Sequence, residues 1–374
     1  MAGIYVHIPF CKQACHYCDF HFSTNIKTKD DLIDAIIDEI ELQKNYLPNT
    51  KIETIYYGGG TPSILKKEDF QRINSKLQST FNFSQMQEVT LEANPDDLTI
   101  QKLTELKTIG FNRLSIGIQT FDDQLLKFYN RAHNSSMALD SVKNAQKVGF
   151  ENITIDLIFG APNQSTQGLQ SDLQKALELN TPHISIYGLT IEEKTAFGKW
   201  QKSGKLKPLD EEIAAEHFEL IMETLTREGF VQYEISNFSK HNFESKHNSA
   251  YWQGKNYLGI GPSAHSFNGT SRQYNIASNL SYIKQIRNGV VPCEIEILSK
   301  NDQINEMILI QMRTAEGLDM HLLNKKFDYD LASVKKQEIE ALIKSGKLIN
   351  NGQFLKLTDT GKLLADFIIE KFII

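Results

Sequence analysis

The sequence predicts an α/β protein: an open (β/α)6 partial barrel of the TIM type, followed by a small C-terminal α+β module of winged-helix-like order. Three observations predict it. Short β-branched runs recur through the first half of the chain, stretches of helical periodicity separate them, and the alternation stops near residue 200. Strand and helix alternating six times mean a parallel sheet covered by helices. Right-handed crossovers curl such a sheet toward a barrel.

The strand runs are Ile4–Ile8, Ile52–Tyr57, Glu88–Glu92, Arg113–Ile118, Ile153–Phe159 and His183–Leu189. In Asp30–Tyr46, Leu32, Ile33, Ile36, Ile37 and Ile40 make one apolar helical face, and Thr28 with Asp31 offers a capping box before it. Leu98, Leu103, Leu106 and Ile109 repeat the pattern, and Gly110 stands where a helix end favours a left-handed residue. Leu125–Tyr129 with Met137–Val148, and Leu169–Leu179, continue the alternation. Asp210–Gly229 is also helical, but Tyr233–Gly269 is rich in aromatics, Asn, Ser, Gly and His with little periodicity. Asn301–Met312 and Ala332–Lys344 are helical again. Asn351-Gly352 marks a hairpin between Lys347–Asn350 and Gln353–Leu357, and Leu363, Leu364, Phe367 and Ile368 face one side of a last helix. The expected divisions are a barrel over 1–230, an aromatic and histidine-rich connecting segment packed on it over 231–300, and the C-terminal module over 301–374.

Composition narrows the function classes. Forty basic against forty-six acidic residues give a net charge of −6, which argues against a non-specific nucleic-acid or membrane-surface protein. From His321 to Ile374 nine Lys face seven Asp and Glu, a net of +2, so the module reads as structural or partner-docking and no nucleic-acid partner is expected. No apolar run approaches the ~20 residues that span a bilayer, so membrane association is expected to be transient at most. No signal-peptide pattern opens the chain, and the expected location is cytoplasmic.

Three of the four cysteines lie in Cys11-Lys-Gln-Ala-Cys15-His-Tyr-Cys18, directly after the first strand. Three thiolates on one tight loop can converge on a single metal centre and leave one position open. A structural zinc ion would take a fourth ligand, for which His16 and His21 are near enough. Soft thiolates equally suit an iron–sulfur cluster, whose fourth iron would then be free to bind something. Cys293, in Val-Pro-Cys-Glu, reads as a small half-buried side chain.

Cysteines spaced four and three apart, after the first strand of a six-unit β/α array, make this chain resemble the radical S-adenosylmethionine (SAM) superfamily. The resemblance implies a [4Fe-4S] cluster on Cys11, Cys15 and Cys18, with SAM chelated to the open iron. Tyr17 fits the aromatic found beside the adenine, and Tyr5 in the first strand joins the cofactor-binding set. Tyr56-Tyr57-Gly58-Gly59-Gly60-Thr61-Pro62 ends the second strand and resembles the segment that contacts the methionyl amino group, pointing to Gly59, Gly60 and Thr61. Glu92, Gln119 and Asp156 lie at or near the ends of strands three, four and five, where a barrel places its site. On this reading Arg131 clamps the SAM carboxylate, Glu92 takes the ammonium, and Gln119 and Asp156 take the ribose hydroxyls.

The resemblance narrows to the oxygen-independent coproporphyrinogen III oxidase-like group. It runs from Tyr-Val-His-Ile-Pro-Phe-Cys through Gly-Gly-Gly-Thr-Pro to Tyr-Leu-Gly-Ile-Gly-Pro-Ser-Ala-His-Ser near residues 257–266. The oxidases carry a further cysteine two residues after the third; here Phe20 stands there, and the oxidases' longer N-terminal extension is missing. Both departures match a subgroup that acts as heme chaperones, as does His247-Asn248-Ser249-Ala250-Tyr251-Trp252. That motif offers an imidazole for heme iron and two aromatics for a porphyrin face. His247, Tyr251 and Trp252 are therefore the candidate heme residues, and His265 in Ser-Ala-His-Ser remains an unassigned pocket candidate. The expected partners are heme, acceptor apo-hemoproteins and an electron donor for the cluster. Radical decarboxylation of coproporphyrinogen III is the competing function, and a zinc-binding structural protein the third.

Overall fold

The computed structural model describes residues 2–48 and 50–374. Six parallel strands stand in chain order: β1 (Ala2–Ile8), β2 (Ile52–Gly59), β3 (Glu88–Ala93), β4 (Arg113–Gln119), β5 (Asn152–Phe159) and β6 (His183–Gly188). Helices at Lys29–Leu42, Lys67–Thr80, Ile100–Ile109, Ser135–Val148 and Thr166–Glu178 connect them. The predicted strand–helix order is thus the observed one. Helix ends follow their expected chemistry with one exception. Gly110 closes its helix at φ 107°, whereas Thr28 occupies an N-cap without a side-chain capping hydrogen bond.

Side-chain alternation along the strands divides the molecule into two environments. Ile4, Val6, Ile8, Ile55, Leu91, Leu114, Ile116, Ile153, Ile155, Ile184 and Ile186 point toward the helices and are buried with Leu32, Ile33, Ile36 and Ile40. Burying each such side chain contributes about 1.5–3 kcal/mol, so this outer layer carries the stability of the barrel. The intervening residues Tyr5, Tyr56, Glu92, Ser115, Asp156 and Ser185 are polar. They fall beside one another in register, Tyr5 with Tyr56, Glu92 with Ser115, and Asp156 with Ser185. A packed barrel would fill this inner face with branched aliphatics. Polar residues here make the lumen a binding space.

Residues 231–300, which lack visible periodicity, extend the sheet at both edges. β7 (Val231–Glu234) and β8 (Asn237–Ser239) add antiparallel beyond β6. β9 (Asn256–Ile260) pairs parallel with β1, and β10 (His265–Phe267), β11 (Ser271–Asn275) and β12 (Cys293–Ile297) continue antiparallel outward. These strands are three to five residues long, too short for a period of two to stand out in sequence. Beyond them, β13 (Leu318–Asp319), β14 (Leu348–Asn350) and β15 (Phe354–Leu357) form a separate three-stranded sheet. Its helices pack with it around Ile308, Leu323, Leu342, Leu355 and Ile368. The Asn351-Gly352 hairpin is present, with Gly352 at φ 92°.

Candidate functional site

The cysteine loop is held on the barrel by contacts from four other segments. Asn130, itself left-handed at φ 60°, accepts from Gln13 Nε2 (2.6 Å) and donates to the Ala14 carbonyl (2.7 Å). His16 bonds the Phe128 carbonyl through Nδ1 (2.9 Å), and its ring packs edge-on against Trp200. Thr61 donates to Cys11 Sγ (3.4 Å). His21 is tied to Asn279 through Nε2 (2.8 Å). The two histidines considered as fourth zinc ligands are therefore pins for the loop. Among the described residues no three His, Cys, Asp or Glu side chains are grouped to hold a single metal ion. The thiols of Cys11, Cys15 and Cys18 form no disulfide. Burial raises the pKa of Cys11, and that of Cys18 to about 12.

Arg131 joins this loop to the strand ends. Its guanidinium donates to Cys15 Sγ (3.3 Å), Tyr17 Oη (3.4 Å), Asn94 Oδ1 (2.7 Å) and the Gly117 carbonyl (2.7 Å). Only Nε is buried without a partner, leaving one N–H for a ligand. The fork that sequence reading assigned to the SAM carboxylate is thus largely committed to the protein. Gln119 follows a break in the β4–β5 register and sits at φ 70°, a conformation costing a non-glycine residue about 1–3 kcal/mol. Its side-chain amide lies over Gly117, where a Cβ would stand 2.8 Å from Gln119 Nε2.

Inside the lumen Glu92 accepts from Tyr56 Oη (2.8 Å) and Gly59 N–H (3.1 Å), and Asp156 accepts from Ser115 Oγ (2.9 Å). Burial raises Glu92 to about 7 and Asp156 to about 6, with Asp156 also pushing Glu92 up. Two enclosed acids with no ion-pair partner among the described residues are ready for a cationic or hydroxyl-bearing ligand. The glycines also have a packing role. Gly60 N–H donates to the Ile8 carbonyl (2.9 Å), and a Cβ there would stand 2.7 Å from the Phe10 carbonyl. At Gly59, φ 107°, a Cβ would strike the His7 ring. These glycines press β2 against the root of the cysteine loop. The donor set nevertheless fits the cofactors: three unbridged thiols, one spare arginine N–H and two lumen carboxyls.

The histidine motif departs most from expectation. His247 opens the helix Lys246–Trp252, which plugs the barrel at the end where its strands begin. Glu88 receives the backbone N–H groups of Lys246 and His247 (3.0 Å each), fixing the helix there. The His247 ring is 1% exposed; Nδ1 joins Thr54 Oγ1 and Nε2 joins Tyr251 Oη (2.8 Å each). It stacks on Tyr56, and burial holds its pKa near 3. Both ring nitrogens are engaged, so His247 is a floor residue and presents no free ligand to iron. Tyr251 and Trp252 from the same helix instead reach a cavity of about 550 Å3.

That cavity lies between the barrel and the C-terminal module. Tyr5, His7 and His21 line it from one side, His265 and Arg272 from β10 and β11, and Met307, Ile310 and Lys326 from the module. Phe20 is 74% exposed and also lines the cavity. His7 was missed in sequence, where it read only as part of a motif. Its Nδ1 meets Tyr5 Oη (3.1 Å) and its Nε2 the His21 carbonyl (3.0 Å), linking lumen, cavity and cysteine loop. The signal was available: His7 follows Tyr5 at an inward position of a strand whose outward positions, Ile4, Val6 and Ile8, are aliphatic.

A polar-lumen barrel with a three-cysteine loop over its strand ends defines the radical SAM class of protein. The Radical SAM superfamily model matches residues 5–176, and the HemN C-terminal domain model matches 298–364. Among solved structures, coproporphyrinogen III oxidase (HemN) from Escherichia coli has the same fold, with a TM-score of 0.86 at 23% identity over 100% of this chain and 90% of that one. The chain is 36% identical to "Heme chaperone HemW" of Lactococcus lactis, across 99% of this chain and 97% of that protein. It is 35% identical to the protein of the same name from Bacillus subtilis, across 100% and 99%. The chain belongs to the HemW family.

Proposed function

We propose that this protein is a heme chaperone: it binds heme, carries a [4Fe-4S] cluster on Cys11, Cys15 and Cys18 with SAM in the lumen, and passes heme to acceptor apo-hemoproteins. The observation that carries the reading is full-length similarity to proteins named heme chaperones, together with an exposed Phe20 where the oxidases have a thiol. When bound, the cluster supplies electrons to SAM or to a nearby acceptor. The chain's own residues do the positioning. Arg131 Nε offers the remaining N–H beside Cys15, while Glu92 and Asp156 take polar groups deeper in the lumen. Tyr5, Tyr17, Gln119 and the Gly59–Thr61 turn complete the cofactor set. The reading includes a cytoplasmic location and an electron donor; no described helix is long and apolar enough to cross a membrane.

The oxidase reading rests on the shared fold and the polar lumen. One experiment separates them. Anaerobically reconstituted protein is given heme and an apo-cytochrome in one arm, and SAM, reductant and coproporphyrinogen III in the other. Stoichiometric heme transfer without turnover in the second arm is expected. Protoporphyrinogen at catalytic turnover would overturn the chaperone assignment.

A further inference from the structure

We infer that His265 supplies the axial imidazole to heme iron in the cavity beside the cysteine loop, and that Lys326 meets a propionate carboxylate there. This rests on the chaperone reading and deepens it by naming the seat. Four imidazoles lie in or near the region, and hydrogen bonding separates them. His7 and His247 have both ring nitrogens engaged, and His21 has one. Neither ring nitrogen of His265 has a partner among the described residues, and the side chain is exposed into the cavity.

The position is also pre-organised. His265 begins β10, pairs across the strands with Tyr274, and stacks on that ring at 5.6 Å and 27°. Its backbone is packed so closely on β9 that a Cβ at Gly259 would stand 2.0 Å from the His265 carbonyl oxygen. Such an imidazole loses little freedom on binding iron. A neutral ring donates its lone pair to the metal with no redox change, and partial burial with the nearby Arg272 lowers the His265 pKa toward that neutral form.

The rest of the cavity suits a flat, apolar, dianionic ligand. Its volume is in the range of small-molecule sites, and Phe20, Trp252, Met307 and Ile310 supply apolar wall. Of the three lining cations, Lys255 pairs with Glu53 (3.7 Å) and Arg272 with Glu306. Lys326 has no carboxylate within the 4.0 Å of an ion pair among the described residues; its ammonium lies over Phe327. Asp19 and Glu306 also line the cavity, and Lys326 is the lining cation left for a propionate.

The test is a titration of the full, reconstituted chain with hemin and, separately, with iron-free protoporphyrin IX. His265→Ala and His265→Gln should lose the imidazole-ligated absorption spectrum. They should weaken hemin by more than the roughly tenfold that even an outer-shell partner contributes to metal affinity. Protoporphyrin IX affinity should be unchanged, and added free imidazole should restore the spectrum. His247→Ala should keep it. Lys326→Gln should weaken hemin about two- to fivefold, as an exposed ion pair would, and leave hemin dimethyl ester unaffected. An unchanged spectrum and affinity in both folded His265 variants would overturn the seat while leaving the chaperone reading intact. Failure of the unaltered protein to bind hemin at all would overturn both.

Discussion

Glu39 shows how one buried residue contributes to the pH response of the molecule. It lies on the buried face of the first helix, 0% exposed, and accepts from Gly261 N–H (2.7 Å), Asn275 Nδ2 (2.6 Å) and Tyr282 Oη. Burial raises its pKa from 4.5 to about 7 despite those donors. Between these values the unfolded chain has lost the proton and the folded chain has kept it. Stability therefore falls as pH rises through that window, by roughly 3 kcal/mol for this group alone. Glu39→Gln mimics the protonated form. Thermal unfolding from pH 4.5 to 7.5 should show a shallower decline in the variant, and parallel curves would refute the assignment. Arg131 is the second residue-scale case. Because it holds the cysteine loop and, on the proposed reading, offers its remaining N–H to SAM, Arg131→Ala should lower both cluster occupancy and SAM affinity. Loss of one hydrogen bond to a charged group costs about 1.5–3 kcal/mol. A variant with full iron content and unchanged SAM affinity would remove Arg131 from the site.

At the scale of elements, the cysteine loop depends on its neighbours for shape. Cys11→Ala, Cys15→Ala or Cys18→Ala should each abolish iron and sulfide binding at the loop, whereas Cys293→Ala, on the distant edge strand β12, should not. Full iron content in Cys15→Ala protein would defeat the three-thiol reading. Gly60→Ala is a subtler probe, since its Cβ must displace the backbone of Phe10 just before Cys11. Iron content should fall although no ligand is lost. Elemental analysis after anaerobic reconstitution, with circular dichroism as a folding control, decides it. The loop and its three cysteines were legible in sequence because the ligands are neighbours along the chain. Its pins, Asn130 and Phe128, were not, because they arrive from more than a hundred residues away.

At the scale of the whole molecule, the cavity belongs to no single segment. Its wall combines the cysteine loop, β10 and β11, and the C-terminal module. Bound hemin should therefore slow amide hydrogen exchange in residues 251–257 and 303–326 together. Protection confined to the barrel would show that the module takes no part in binding.

What the sequence by itself determined follows from local rules. The alternation of strands and helices and the cysteine spacing are periodicities of two, 3.6 and a few residues, all carried by chain neighbours. The tertiary structure decided what each histidine is for. His247 lies in a motif that invites a ligand role, yet Thr54, 193 residues away, and Tyr251 engage its two ring nitrogens while Tyr56 stacks on its face. His265 stands in a plain Ser-Ala-His-Ser stretch, and strand pairing with Tyr274 turns it into the cavity. Whether an imidazole is a prop or a ligand depends on which distant groups reach its two nitrogens, and packing alone settles that.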